Sequence, residues 1–165
     1  MGLFGFGKKK ITDVLNSPVV GKVQTLENVA DPVFAQKVMG EGFGVVPNNE
    51  KIYSPVTATV TSVFKTKHAI GLKTDDGLEV MVHMGLDTVE LNGEPFEIKV
   101  NEGDKVEANT LIATMNLNKV KDAGKDTVVL TIVTNTADKL ERAEMTVNDT
   151  SSVDNGDAIM SVTLK

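Results

Sequence analysis

The chain has 165 residues, a length typical of one globular domain, and 41% of them are apolar, enough for a sizeable core. Its formal charge of −6 argues against a protein that binds the phosphate backbone of nucleic acids, because such domains usually carry a basic excess. The absence of cysteine excludes disulfides, thiolate metal ligands and thiol nucleophiles. Any covalent chemistry must therefore use another side chain.

The first residues combine a short apolar stretch with a basic one. Leu3, Phe4 and Phe6 precede three lysines, which is the reverse of the order in a secretory signal peptide. No apolar stretch approaches the ~20 residues that span a bilayer. We therefore expect a cytoplasmic protein with a flexible tail over residues 1–12. Two interpretations of the tail stay open, a frayed solubilising segment and a segment that touches an anionic membrane surface.

Short strand-like runs separated by turn signals fill the rest of the chain. They are VVGKV at 19–23, TATVTSVF at 57–64, LEVMVHM at 78–84, TVVLTIV at 127–133 and AIMSVTL at 158–164. Because turns recur at short intervals, we predict an all-β fold, an antiparallel sandwich or barrel-like domain of short strands. Helical spacing is confined to two short segments, Pro32 to Val38 and Ala137 to Ala143.

Two short echoes suggest a duplicated sheet. SPVVGKV at 17–23 resembles SPVTATV at 54–60, and EGDKV at 102–106 partly resembles NGDAI at 155–159. Proline opens an edge strand and a Gly-Asp pair makes a tight turn, so both echoes have a structural meaning. The alternative is that similar strand and turn sequences recur by chance.

The two histidines of the chain, His68 and His83, lie in neighbouring strand-like runs joined by the turn signal TDDG at 74–77. If the two aspartates form a two-residue loop, His68 lies directly opposite His83. If the second aspartate and the glycine form the loop, His68 faces Gly85 and His83 is its diagonal neighbour. Either register places both imidazoles on one face of a hairpin.

The two faces of this hairpin differ in composition. The face with the histidines also carries Thr66, Ile70, Met81 and Asp87, and we expect Gly85 to leave open space beside the rings. The other face carries the apolar side chains Val80, Val82 and Met84, which we predict to be core.

Paired histidines suggest a phosphoryl carrier, a metal site or a general acid–base pair, and the alternative is two ordinary hydrogen-bonded side chains. An imidazole with a pKa near 6.5 is partly neutral and nucleophilic near neutral pH. Zinc usually takes at least three protein ligands, and without cysteine only carboxylates such as Asp87 could complete the set. We therefore predict no metal and no other cofactor.

The run GLEVMVHMGLDTVEL at 77–91 closely resembles the signature around the phosphorylated histidine of glucose-type IIA domains of bacterial sugar phosphotransferase systems. It has the glycines, the apolar triplet, the histidine and the threonine of that signature. The resemblance extends from about Asp13 to Thr163 and includes DPVFAQKVMGEGFGVVP at 31–47, KTKHAIGLK at 65–73 and LNGEPF at 91–96. It implies one IIA-type phosphocarrier domain over residues 13–165.

The resemblance implies a role for each polar residue of the hairpin. His83 would take a phosphoryl group from the phosphocarrier protein HPr and pass it to a cysteine of a IIB domain, on a separate chain because this one has no cysteine. His68 would donate a hydrogen bond to the phosphoryl group, and Thr66 would orient a ring. Asp87 matches an acidic residue beside the site. The sugar is not implied, because its recognition belongs to the membrane IIC component.

The resemblance also implies an apolar surface around His83 that docks these partners, and it implies sugar-uptake proteins as regulatory partners. The apolar surface would consist of Val33, Phe34, Met39, Phe64, Met81 and Val89. We expect Phe34 to be the exposed anchor, because its flanking residues are polar, whereas Phe64 and Val89 fit the core as well as the surface.

Two other classes of protein fit the same residues less well. The segment EGDKVEANTLIATM at 102–115 resembles the strand before the modified lysine of biotinyl and lipoyl carriers, but Asn116 follows Met115 and the acceptor lysine is missing. A zinc peptidase would need closely spaced histidines of the H-x-H type, and this sequence has none. The phosphoryl carrier is therefore the favoured function.

Overall fold

The computed structural model describes residues 10–165. Its strands are β1 Thr12–Asn16, β2 Gly21–Thr25, β3 Glu41–Pro47, β4 Lys51–Tyr53, β5 Ala58–Val63, β6 Ala69–Lys73, β7 Glu79–Met84, β8 Phe96–Ile98, β9 Lys105–Val106, β10 Leu111–Met115, β11 Val129–Val133, β12 Leu140–Met145, β13 Ser152–Val153 and β14 Ala158–Leu164. The helices are α1 Pro32–Ala35, α2 Leu117–Asp122 and α3 Thr136–Lys139, with 3₁₀ turns at Leu26–Asn28 and Thr88–Leu91. Most of the predicted tail lies outside the described residues, and its last residue, Thr12, already pairs with Thr163.

The strands form three antiparallel sheets. The largest has eight strands in the order β9-β5-β6-β7-β11-β3-β2-β13, and two three-stranded sheets have the orders β4-β10-β8 and β12-β14-β1. The prediction of an all-β fold with short helical segments is confirmed. Within residues 10–165, no helix is long and apolar enough to cross a membrane.

The predicted helices are only partly correct. Helix α1 begins at Pro32 as predicted but ends at Ala35. The second prediction is wrong beyond Lys139, because Leu140–Met145 pairs with β14 as a strand. Helix α2 was not predicted, since Val120 is its only buried residue and a single apolar position produces no helical periodicity.

Side-chain alternation along β7 places apolar residues on both faces of the large sheet. Val80, Val82 and Met84 belong to the main core, as predicted, whereas Met81 belongs to a second, smaller cluster on the opposite face. Strand β11, the neighbour of β7, is buried along its whole length. The centre of the large sheet is therefore covered on both faces, which makes it a firm support for the end of β7.

The similarity between the two Ser-Pro segments corresponds to one local structure that occurs twice. Ser17 Oγ donates to the carbonyl of Val19 at 2.7 Å, and Ser54 Oγ donates to the carbonyl of Val56 at 2.6 Å. Both serines are fully buried. Each hydroxyl thus satisfies a backbone carbonyl at the edge of the core, where an unpaired carbonyl would be costly.

Replacing Thr131 by valine should stabilise the fold. Thr131 lies in β11 between Val82 and Phe43, is fully buried, and its hydroxyl has no hydrogen-bond partner among the described residues. Valine has the same shape without the unpaired polar atom, so we expect the free energy of unfolding to rise by about 1–2 kcal/mol. Urea denaturation measures this change. The control is Ser54→Ala, which removes a paired buried hydroxyl and should lower stability; an unchanged or lower stability for Thr131→Val would contradict the prediction.

Candidate functional site

The two histidines come together at the open end of the β6–β7 hairpin, but not in either predicted register. His83 pairs with Ala69, one residue further along than His68. The loop has three residues, closed by hydrogen bonds from Gly77 N to the Thr74 carbonyl and from Thr74 N to the Leu78 carbonyl. Gly77 has a φ of 94°, typical of the last residue of a three-residue hairpin loop. Both predicted two-residue loops are therefore wrong by one residue. Ile70, predicted on the face of the histidines, pairs with Val82 and belongs to the main core instead, because the register is shifted.

His68 nevertheless faces His83, because it precedes the regular strand. Strand β6 begins at Ala69, and Lys67 has a φ of 59°, so strict alternation of side chains does not extend back to His68. The His68 carbonyl accepts a hydrogen bond from Met84 N at 2.7 Å. The ring is held separately, since Thr66 Oγ1 lies 2.6 Å from His68 Nδ1.

The two imidazoles are the middle members of a row of four rings. The His68 and His83 centroids are 5.0 Å apart, with the rings nearly perpendicular at 81°. Phe34 packs against His83 at 5.1 Å, and Phe64 packs against His68 at 5.3 Å. Both histidine rings are thus held by ring contacts on either side, in arrangements that aromatic pairs favour.

Burial keeps both rings uncharged near neutral pH. Desolvation lowers the pKa of His68, and it lowers the pKa of His83 to about 4, with repulsion from His68 as the next cause. The Gly85 carbonyl and the carboxylates of Asp31 and Asp87 act in the opposite direction. Nδ1 of His83 is buried and has no hydrogen-bond partner among the described residues.

The turn after His83 is compact. Gly85 and Asp87 have φ values of 80° and 60°, and the buried Thr88 donates from Oγ1 to the Met84 carbonyl at 2.6 Å. A Cβ on Gly85 would lie 2.4 Å from the Thr88 methyl carbon and 2.9 Å from the Asp126 carbonyl. The expectation that Gly85 leaves open space is therefore wrong, because Thr88 fills it.

The predicted apolar surface divides into an exposed part and a buried part. The exposed side chains form a set that we call the collar: Val33, Met39, Phe64 and Val89, with 46%, 38%, 40% and 47% exposure. Phe34 and Met81 are buried instead, in the second cluster beneath His83. The expectation that Phe34 is the exposed anchor is wrong, because its ring packs on His83.

Two residues near the site were not predicted from the sequence. Asp31 caps α1, where its Oδ1 accepts a hydrogen bond from Val33 N at 2.9 Å, and its charge acts on His83. The Asp-Pro start of the helix was the available signal. Val38, 69% exposed, lies between Lys37 and Met39 and adds to the apolar surface there.

A metal ion would need more ligands than this face supplies. In the part of the chain that the structure describes, no three or more His, Asp or Glu side chains are placed to hold one. The alternative of a metal site on the two histidines therefore lacks a third ligand there.

The low pKa of His83 should make stability pH-dependent. Because the ring titrates at about 4 in the folded chain and at its usual 6.5 when unfolded, the unfolded state binds more protons between these values. The resulting stability is fully present above pH 6.5 and is lost as the pH falls to about 4, by at most about 3 kcal/mol. Denaturant unfolding of wild type and His83→Asn from pH 4 to 7 isolates this contribution, and parallel curves would contradict it.

Known proteins resemble this chain over most of its length. Residues 13–139 match the family described as phosphoenolpyruvate-dependent sugar phosphotransferase system, EIIA 1. The PTS system glucose-specific EIIA component of Staphylococcus aureus (strain COL) is 42% identical over 164 residues, covering 98% of this chain and 97% of that protein. The glucose-specific EIICBA component of Streptococcus pneumoniae serotype 4 (strain ATCC BAA-334 / TIGR4) is 51% identical over 127 residues, 77% of this chain. That match spans only 18% of the Streptococcus protein's length.

A solved structure agrees with the sequence comparisons. Glucose permease IIA from Mycoplasma capricolum superposes with a TM-score of 0.79 at 30% identity, over 92% of this chain and 96% of that one. Its β-sandwich fold is the fold of this chain. The chain therefore belongs to the EIIA 1 family of the phosphoenolpyruvate-dependent sugar phosphotransferase system.

Proposed function

We propose that this chain is a phosphoryl carrier that accepts a phosphoryl group on His83 from phosphorylated HPr and donates it to a cysteine of a IIB domain. The observation that carries the proposal is the pair of facing, uncharged imidazoles, 5.0 Å apart at the open end of a rigid hairpin. A neutral imidazole has the lone pair that a nucleophile needs. Family membership supports the same reaction class.

In the proposed first step, Nε2 of His83 is the nucleophile, because Nδ1 is buried. Its lone pair forms a bond to phosphorus while the phosphorus–nitrogen bond of the donor's phosphohistidine breaks, and the donor nitrogen keeps the electron pair. In the second step, an acceptor thiolate attacks the same phosphorus and His83 recovers its lone pair. Positioning and charge stabilisation supply the catalysis, since the phosphoryl transition state spreads negative charge over three oxygens.

His68 and Thr66 have supporting roles in this scheme. If the Thr66 hydroxyl donates to His68 Nδ1, 2.6 Å away, the proton of the neutral His68 ring is on Nε2. That proton can then donate a hydrogen bond to a phosphoryl oxygen on His83. Thr66 thus selects the tautomer and aims the ring.

The collar and the nearby carboxylates indicate what kind of partner surface would bind at this site. Four exposed apolar side chains, which the family resemblance places around His83, suit packing against another protein surface. Asp87 is exposed, and Asp31 is close enough to act on the pKa of His83. We propose that these carboxylates face basic residues of the phosphoryl donor.

The carrier function is tested by incubation with phosphoenolpyruvate, enzyme I and HPr, followed by intact mass measurement. We expect one added, acid-labile phosphoryl group in the wild type and in His68→Gln, and none in His83→Ala, because only His83 is the acceptor. If the wild type stays unmodified while HPr is phosphorylated, the proposal fails. Modification of His83→Ala would place the acceptor elsewhere.

Replacing Val89 by serine should weaken partner docking without slowing transfer in the docked complex. Val89 is 47% exposed and, unlike Phe64, has no ring contact with a histidine. Loss of its packing should raise the KM for phosphorylated HPr by roughly fivefold and leave kcat within about twofold, as expected for about 1 kcal/mol of lost contact.

The matched control is Val14→Ser. Val14 is 46% exposed on β1, and it lines a cavity with Asp75 and Asp76 at the turn end of the hairpin, opposite the end that carries the histidines. Its replacement should leave KM unchanged. Equal effects of the two substitutions would contradict a docking role for the collar.

A further inference from the structure

Thr88 is the most completely buried polar residue of the turn that follows His83. It has no exposed surface, and Oγ1 donates to the Met84 carbonyl at 2.6 Å. The proposed phosphoryl-transfer scheme gives it no part. Its hydroxyl and its methyl group nevertheless meet two different residues of the turn.

The hydroxyl completes a clamp on the residue directly after His83. Met84 N donates to the His68 carbonyl at 2.7 Å, and the Met84 carbonyl accepts from Thr88. The backbone that carries the His83 ring is thus tied on one side to the backbone of His68 and on the other to Thr88. Both ties are short hydrogen bonds between groups shielded from water, where they are electrostatically strong.

The methyl group occupies the space beside Gly85. A Cβ on Gly85 would lie 2.4 Å from Thr88 Cγ2, and Gly85 has a φ of 80°, so this position requires glycine. Glycine has the widest conformational freedom of any residue, and it follows Met84 directly. The bond from Thr88 therefore restrains the backbone at the point where the turn would otherwise relax most easily.

We infer that the Thr88 hydroxyl is a positioning group for phosphoryl transfer: by fixing the Met84 backbone, it sets the orientation of the His83 ring relative to His68. The inference rests on the proposed carrier function. In-line transfer requires the attacking nitrogen, the phosphorus and the leaving nitrogen to be aligned, and a misplacement of about 1 Å can cost about 100-fold in rate. Thr88 has no exposed surface, so it cannot contact a docked partner and acts through the backbone of Met84.

The experiment compares four residues at position 88 as two pairs that differ in the hydroxyl. Wild type and Thr88→Val share the branched shape, and Thr88→Ser and Thr88→Ala share the absence of the methyl group. Single-turnover transfer from phosphorylated HPr gives the maximal rate and KM for each. We expect Thr88→Val and Thr88→Ala to lose roughly 10- to 100-fold in maximal rate with KM within about threefold, while Thr88→Ser stays within about threefold of the wild type.

A change in ring orientation should also appear in the histidine spectra. In ¹⁵N-histidine NMR, the His83 ring signals and their titration should shift in Thr88→Val and Thr88→Ala and stay near the wild type in Thr88→Ser. The matched control is Ser54→Ala, which removes another fully buried hydroxyl with a 2.6 Å bond to a carbonyl, outside the site. It should lower stability while the rate and the spectra remain unchanged.

The outcomes separate this inference from the proposed function. Unmodified wild type in the presence of phosphorylated HPr overturns the carrier function itself. If the wild type is phosphorylated and Thr88→Val and Thr88→Ala both transfer at the wild-type rate, only the role of Thr88 is overturned. If Thr88→Val does not fold, the comparison of Thr88→Ser with Thr88→Ala tests the inference by itself. A Thr88→Ser variant as slow as Thr88→Ala would assign the loss of rate to packing of the methyl group and overturn the inference.

Discussion

Two imidazole rings lie 5.0 Å apart, each in contact with a phenyl ring, and their burial favours the uncharged form of both. Two imidazolium ions at this distance would repel each other, and burial disfavours each charge separately. The desolvation that lowers the pKa of His83 to about 4 therefore also maintains the neutral form required of a nucleophile. The uncharged state that suits this packing is therefore also the state that the proposed phosphoryl transfer to His83 requires.

The site itself consists of irregular backbone supported by a regular sheet. His68 lies in the turn before β6, and the segment from Gly85 to Thr88 forms the turn after β7. Left-handed conformations at Lys67 and Asp87 are sparsely populated for such residues and persist where the surroundings hold them. The neighbouring strand β11, buried on both faces, provides that support. Rigid strands thus position the turns, and the turns orient the rings.

Apolar residues near His83 have two separate uses. Phe34 and Met81 are buried and belong to the second cluster, which supports the histidine from below. The collar remains exposed, and the proposed transfer needs no deep pocket because the proposed phosphoryl donor and acceptor are both proteins. Similar side chains at neighbouring positions therefore support the proposed nucleophile in one case and form the proposed docking surface in the other.

Local patterns in the sequence predicted much of the molecule, because such patterns depend only on neighbouring residues. Alternation identified β7 and its core side, and the motif around His83 indicated the family. Contacts between distant segments decided the rest. One extra loop residue shifted the hairpin register, and His68 faces His83 only because the chain is left-handed at Lys67. Phe34 is buried because α1 places its ring against His83. The sequence by itself determined the all-β class, the five strand-like runs that became strands, the core face of β7 and the two histidines. The distance between the rings, their uncharged state and the Thr88 clamp were decided by tertiary packing, since each depends on segments brought together only in the folded chain.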